Sequence, residues 1–476
     1  MRQSNIRYHC IDVLERVFTR KLRLTLVIIS VLVIQVWSVS TINSVGASAS
    51  IDNWPMFHHD LTHTGYSTSM PTATSPVSLW NFTTNSVVWA SPAVVNGCVY
   101  IGSDGGIAYC LNTSDGSKVW NYTLSSTARG GSPIGSSMAV ASGYVYFGSY
   151  DRNVYCLNAS TGDKVWNYTT GSTVESCPAV VNGFVYVGSW DGNVYALDAL
   201  TGAKLWNYTA GGLVESSPAV VEGRVYVGST NFNVYCLDAL SGGEIWKYTT
   251  GNVVQSSPAV IDGRVYIGSE DNNVYCLNAL NGSRIWNYTT PGWVDSSPAV
   301  ANGYVYVGSW VIDANMNDLP SNVYCLDAST GARIWNYTTQ GGVNSSPAVA
   351  GGFVYVGGWD HNVYCLNAST GAQVWIYTTQ NHVNSSPAIV DCLVYVGSWD
   401  HKVYAFATLP TETTPSPSKS ASPTPTLSPS TSDQATPSPS SHHTGSFPAE
   451  IIYSIVAVIA VVVVVAVGII LMKRKH

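Results

Sequence analysis

Charge is scarce in this chain: Asp, Glu, Lys and Arg supply only 10% of its 476 residues. A long coiled coil or a helix-rich surface needs far more. Whole-chain disorder is excluded from the other side, because 46% of the residues are apolar. Basic residues are fewest in the main body. From Asp52 to Ala407 there are 23 Asp plus Glu against 11 Lys plus Arg, a net of −12. Such a body lacks the Lys/Arg surface that a phosphate backbone requires, which excludes nucleic acid as a partner. Turn formers and aromatics are plentiful instead, with Gly 42, Tyr 29 and Trp 16, a composition of short strands and tight turns.

Basic residues gather at the two ends. Arg20, Lys21 and Arg23 precede an apolar run from Leu24 to Val39, followed by Ala47-Ser48-Ala49. That layout predicts a secretory signal peptide or an N-terminal anchor over residues 1–50. Ile451 to Met472 is a run of 22 residues without charge, followed by Lys473, Arg474 and Lys475. At about 1.5 Å per residue the run reaches about 33 Å, enough for one transmembrane helix within 449–476. The basic tip places the C-terminus in the cytoplasm and the body outside. Residues 408–448 are dominated by Ser, Thr and Pro. They cannot bury a core and read as a disordered stalk.

Residues 51–407 hold a repeat. Ser-Pro-Ala-type segments recur at Pro92, Pro178, Pro218, Pro258, Pro298, Pro347 and Pro387, with a degenerate copy at Ser137-Met138-Ala139. Each unit of about 40 residues divides into four short apolar runs separated by turn signals, the period of a propeller blade. The three-strand pattern occurs eight times. The fourth strand is marked by Trp80, Trp120, Trp166, Trp206, Trp246, Trp286, Trp335 and Trp375, but out of phase. Trp80 comes before the first three-strand set, and no Trp follows the last. The expected fold is therefore all-β: an eight-bladed propeller of four-stranded blades, closed by the N-terminal strand around Trp80. Such closure removes the open edges that invite aggregation.

The run A-x-T-G-x-x-x-W recurs as Ala159-Ser160-Thr161-Gly162…Trp166, Ala199-Leu200-Thr201-Gly202…Trp206, Ala328…Trp335 and Ala368…Trp375. Together with VYVGSxDGxVYxL it resembles the pyrroloquinoline-quinone (PQQ)-type repeat, whose tryptophan docking motif locks neighbouring blades. Trp54-Pro55-Met56-Phe57…His63-Thr64-Gly65-Tyr66 is similar to the lead-in of such proteins. The resemblance implies structural roles for the eight tryptophans. It spans quinoprotein alcohol dehydrogenases and the non-enzymatic propeller lipoprotein of outer-membrane assembly, so it does not fix function. The dehydrogenases carry a vicinal Cys-Cys, a calcium site and long excursions between strands. Here there is no Cys-Cys pair and no CxxCH, and only two units are expanded, around Thr127 to Gly135 and between Trp310 and Ser321.

In that family the ligand face is the one carrying the entries to the innermost strands. Two residues before the Ser-Pro-type pair stand Trp89, Glu175, Glu215, Gln255, Asp295, Asn344 and Asn384 in seven of eight units. They are expected to ring the channel mouth. Glu175, Glu215 and Asp295 are carboxylates that a hard cation such as calcium would need; a solvated polar rim is the alternative. The same face collects Tyr150, Trp190, Trp293, Trp310, Trp359 and Trp399, suited to a planar or sugar ligand or to packing between blades. His361, His382 and His401, with Asp360 and Asp400, also fall there, as turn chemistry or as metal ligands.

Ten cysteines are present. Six, Cys110, Cys156, Cys236, Cys276, Cys325 and Cys365, share one repeat position and read as buried apolar residues. Cys98 and Cys110, on neighbouring strands, are the best-placed pair. Twelve N-x-S/T sequons lie between Asn81 and Asn384, six of them directly after a docking Trp. The expectation is a non-catalytic, membrane-anchored surface propeller that binds or scaffolds an extracellular protein or glycan, with no cofactor. The alternatives are a PQQ- and calcium-dependent oxidoreductase and a structural component of a surface coat.

Overall fold

The computed structural model describes residues 52–70, 76–125 and 133–407. The signal or anchor segment, the stalk and the apolar C-terminal run lie outside the described residues, as does most of the first expanded unit. Among the described residues no helix is long and apolar enough to cross a membrane.

Eight antiparallel blades follow one another along the chain; seven have four strands, and the seventh gains a fifth from the lead-in, Tyr66–Ser67, which pairs parallel with Ala348–Ala350. Blade 1 comprises an inner strand Ala93–Val95, second and third strands Cys98–Ser103 and Ile107–Asn112, and an outer strand Lys118–Thr123. The second and third strands are buried on both faces, which is why they read as unbroken apolar runs. The outer strand alternates, with Trp120 buried between exposed neighbours. A register shift beside Trp120 sits in each outer strand. Such a bulge re-aims a side chain, and here it turns the indole towards the next blade.

Blade 8 closes as expected. Its own strands are Ala388–Val390, Leu393–Ser398 and Lys402–Ala407, and Val77–Thr83 pairs antiparallel with the last of these, Trp80 opposite Ala405. Seven of the eight docking tryptophans donate Nε1–H to a carbonyl of the following blade. Trp120 reaches Ala159 O at 2.9 Å, Trp206 reaches Ala239 O at 3.0 Å, and Trp80 crosses the seam to Thr113 O at 2.9 Å. Below each of these seven indoles lies a left-handed glycine. A Cβ on Gly202 (φ +72°) would stand 2.6 Å from the Trp166 ring, so glycine is required there by sterics and by backbone conformation alike. Trp375 is the exception: it is buried against Tyr355, but its Nε1 has no partner among the described residues. The position equivalent to Ala368 in blade 8 is Thr408, outside them.

The repeated serines close a second ring. The amide of Ser91 donates to Ser137 Oγ, Ser217 to Ser257 Oγ, Ser297 to Ser346 Oγ, and Ser386 back to Ser91 Oγ, all at 2.9 Å. Cys177 replaces serine once, and its Sγ accepts from Ser137 at 3.1 Å. The lead-in fills the channel beneath this ring. Trp54 exchanges two backbone hydrogen bonds with Val94, and the carbonyls of Pro55, Leu61, Thr62, Thr64 and Gly65 accept from the inner strands of five further blades. The cysteines at the shared repeat position are buried as expected. No disulfide forms among the described residues, and Cys98 and Cys110 remain thiols.

Candidate functional site

The inner strands converge on one end of the ring, where the chain enters each blade. Trp89, Glu175, Glu215, Gln255, Asp295, Asn344 and Asn384 line a single cavity of about 190 Å3 there. All seven residues expected at the mouth are thus brought together, and Gly135 supplies the eighth position. The serine ring forms the wall beneath them and Phe57 of the lead-in the floor.

A second ring surrounds the first. It is built from the residue two after the glycine of each second strand: Asp104, Tyr150, Trp190, Thr230, Glu270, Trp310, Trp359 and Trp399 in blades 1 to 8. Sequence reading picked out the aromatic members and missed Asp104 and Glu270. Their repeat position, shared with Trp190, was the signal that could have found them.

The two rings divide the mouth into unlike arcs. Trp293, Trp310, Trp359, Trp399 and Trp89 form an unbroken aromatic chain, with successive ring centroids 5.5, 4.9, 5.6 and 4.3 Å apart. His382 packs 5.1 Å from both Trp359 and Trp399. The remaining arc carries Asp104, Glu175, Glu215, Glu270 and Asp295, with Tyr150 and Trp190 among them, their ring centroids 5.7 Å apart and tilted by 47°. Of the sixteen described residues lining the cavity none is Lys or Arg.

Burial without counter-charge raises the carboxyls. Desolvation, followed by repulsion from Glu175 and Glu270, pushes Glu215 up to about 7. Desolvation, followed by repulsion from Glu270 and Glu215, pushes Asp295 to about 7. Glu175 is also raised by burial, against a hydrogen bond from Tyr150. Several polar atoms here are sealed from solvent and unpartnered: Asp295 Oδ1, Asn344 Oδ1, and the Nε1 groups of Trp89, Trp190 and Trp399. Groups left so are costly in a folded chain and are ordinarily explained by water or a ligand.

Glu175, Glu215 and Asp295 belong to blades 3, 4 and 6. Among the described residues no three His, Cys, Asp or Glu side chains lie close enough to hold a metal ion. Of the histidine set, His361 and His401 occupy left-handed turn positions, with φ of +71° and +68°, while His382 packs on Trp359 and Trp399. Asp360 and Asp400 accept from the hydroxyls of Tyr364 and Tyr404 and from backbone amides of the preceding loops. In the lead-in, His58 and His63 are buried, with His63 Nδ1 at 3.1 Å from Pro258 O. A tricarboxylate quinone such as PQQ does not fit this donor set, since the lining presents carboxylates and no cation to its three negative charges.

Fold and mouth together define a channel-plugged, eight-bladed propeller with an acidic and aromatic channel mouth. The chain belongs to the PQQ-like repeat family described as outer membrane protein assembly factor BamB, which matches residues 72–133, 128–250, 210–314 and 319–435. No curated protein sequence matches it. Among solved structures it is similar to a europium-containing methanol dehydrogenase (15% identity, TM-score 0.65, covering 75% of this chain and 98% of that one). It is also similar to BamB from Moraxella catarrhalis (17%, TM-score 0.58, 70% and 99%). A third is the quinohemoprotein alcohol dehydrogenase from Comamonas testosteroni (18%, TM-score 0.65, 76% and 81%). At these identities the likeness is one of fold.

Proposed function

We propose that the chain is a non-catalytic binding propeller displayed at the cell surface. In this reading residues 1–50 direct export, the ring of 51–407 lies outside, 408–448 form the stalk, and 449–476 span the membrane once. The ligand is an extracellular protein or glycan bound at the mouth, and neither PQQ nor calcium is needed. The sequons support an exported ring: Asn81, Asn121, Asn167, Asn207, Asn287 and Asn336 stand exposed on outer strands, where glycans would cover sheet edges.

One observation carries the binding reading. The fold fixes the serines of the mouth through a closed hydrogen-bond ring, yet the residues two positions earlier vary and leave polar atoms unpartnered. A site that costs stability and is not needed for packing is what a ligand would explain. Catalysis by a quinone, as the name of one similar structure would suggest, is opposed by the carboxylate lining.

The test is an absorbance scan of the full-length chain in detergent, then dye reduction with alcohols and sugars after addition of PQQ and Ca2+. No bound quinone and no quinone-dependent turnover are expected. A glycan array and a surface-protein pull-down, each run beside E175Q/E215Q/D295N, should show a ligand that the variant loses. Turnover dependent on added PQQ would overturn the reading.

A further inference from the structure

We propose that the mouth holds a primary alkylammonium group, seated where the acidic and aromatic arcs meet, between Asp295 and Asn344 and beside Trp310 and Trp359. The inference rests on the mouth being a binding site, and it names the chemistry that site selects.

Asp295 and Asn344 occupy the same repeat position in adjacent blades and line the same cavity. Asp295 is partly exposed as a residue, yet its Oδ1 is sealed from solvent and has no hydrogen-bond partner among the described residues; Asn344 Oδ1 is in the same state. Two unsatisfied acceptors side by side call for a donor-rich group. The carboxylates of Glu215 and Glu270 add negative charge that no Lys or Arg in the lining offsets. An ammonium supplies three N–H donors and one positive charge, and it answers both deficits.

The aromatic side answers the rest of the ligand. Asn384 Oδ1 is occupied by Trp359 Nε1 at 3.2 Å, and Trp310 Nε1 by Asp318 Oδ1 at 2.6 Å. These two indoles are therefore held in place, 4.9 Å apart. Indole rings beside a desolvated cation attract it and pack an alkyl chain. The Asp318 that fixes Trp310 comes from the nine-residue expansion of blade 6, which pairs Val311–Ile312 with Asp318–Leu319. That expansion serves the mouth and no other blade has it. The cavity, about 190 Å3, exceeds the roughly 150 Å3 that admits a benzene-sized group, so an ammonium with a short chain fits. A glycan without an amino group would leave Asp295 uncompensated in charge, and an anion would be repelled.

The experiment titrates the full-length chain with n-butylammonium and, in parallel, with its neutral counterpart n-pentanol. Trp fluorescence and calorimetry are the readouts. A peptide with one exposed lysine forms a third arm. Saturable binding of butylammonium, at least about tenfold tighter than pentanol and weakened about tenfold or more by Asp295→Asn, is expected. Binding of the amine alone indicates a free amine as source, and binding of the peptide as well admits a protein lysine; both uphold the proposal. Equal binding of pentanol, or a glycan bound at the mouth while butylammonium is not, overturns the ammonium assignment and leaves the mouth as a site. If no tested compound or array ligand binds the mouth, both readings fail. Melting of Asp295→Asn beside wild type separates lost binding from lost folding.

Discussion

A tryptophan and a tyrosine of one blade meet at a single carbonyl of the next. Trp166 Nε1 and the Tyr146 hydroxyl both donate to Ala199 O, at 3.0 and 3.1 Å, and the pairing recurs from blade 1 to blade 6. Between blades 7 and 8 both donors, Trp375 Nε1 and Tyr355 OH, lack a partner among the described residues. Trp206→Phe and Trp375→Phe remove similar apolar area, but among the described residues only the first removes a hydrogen bond. Trp206→Phe should therefore be about 1 kcal/mol more destabilising, read as the difference in urea midpoints; equal losses would show that the latch adds nothing beyond packing. At Cys177 the serine ring runs through a weak sulfur acceptor. Cys177→Ser is expected to leave the urea midpoint unchanged or raise it by up to about 1 kcal/mol, and a clear loss would argue that sulfur is sterically required. The docking tryptophans were legible in the sequence because their motif is local. Their tyrosine partners were not, because the shared acceptor lies more than 50 residues away.

At the scale of the element, two segments before blade 1 hold the ring together. Val77–Thr83 completes blade 8, and the lead-in plugs the channel through carbonyls accepted from six blades. Deleting residues 51–84 removes the plug and leaves blade 8 one strand short with an open edge. The shortened chain should lose cooperative unfolding or aggregate; an unchanged melt would contradict closure by Trp80. The seam could be derived from sequence by counting tryptophans against three-strand sets. The plug could not, because its bonds are made by backbone carbonyls, which carry no side-chain signature. Of its three histidines, His59 is raised, against burial, by hydrogen bonds and charge from Asp60 and Asp52, whereas His58 and His63 are buried and neutral, held by desolvation at about 3 and about 4. In the unfolded chain both protonate near 6.5, so there the folded state binds fewer protons. Stability contributed by neutral histidine is complete above about 6.5 and is lost as pH falls towards 4. In the E175Q/E215Q/D295N background, which removes three of the five mouth carboxyls, the urea midpoint should fall more steeply between pH 6.5 and 4.5 than in the same background carrying His58→Gln and His63→Gln, because Asp104, Glu270 and His59 remain in both. Equal slopes would mean the plug histidines His58 and His63 are solvated.

Over the whole molecule the ring divides into residues that the fold requires and residues that it does not. Eight repeats made that division visible in the sequence: Ser-Pro-Ala barely changes while the position two before it runs through Trp, Glu, Gln, Asp and Asn. What the sequence concealed was the unlike character of the two arcs, since that depends on which blade stands opposite which. Asp104 and Glu270 also join the mouth only through a second ring. The acidic arc carries a stability cost with a defined sign. Glu215 and Asp295 titrate at about 7 in the folded ring and near 4 when unfolded. Between those values the folded state holds more protons, so their contribution is most favourable below about 4 and is lost as pH rises through 7. The measurement that bears most directly on the account is the urea midpoint of E175Q/E215Q/D295N at pH 8, against wild type. Three charges go and the shape stays. If these residues exist for a ligand, the variant is as stable as wild type or more so at pH 8, with the two curves converging near pH 4. A variant markedly less stable at pH 8 would show that the carboxylates hold the blades together, and the mouth would then be part of the fold.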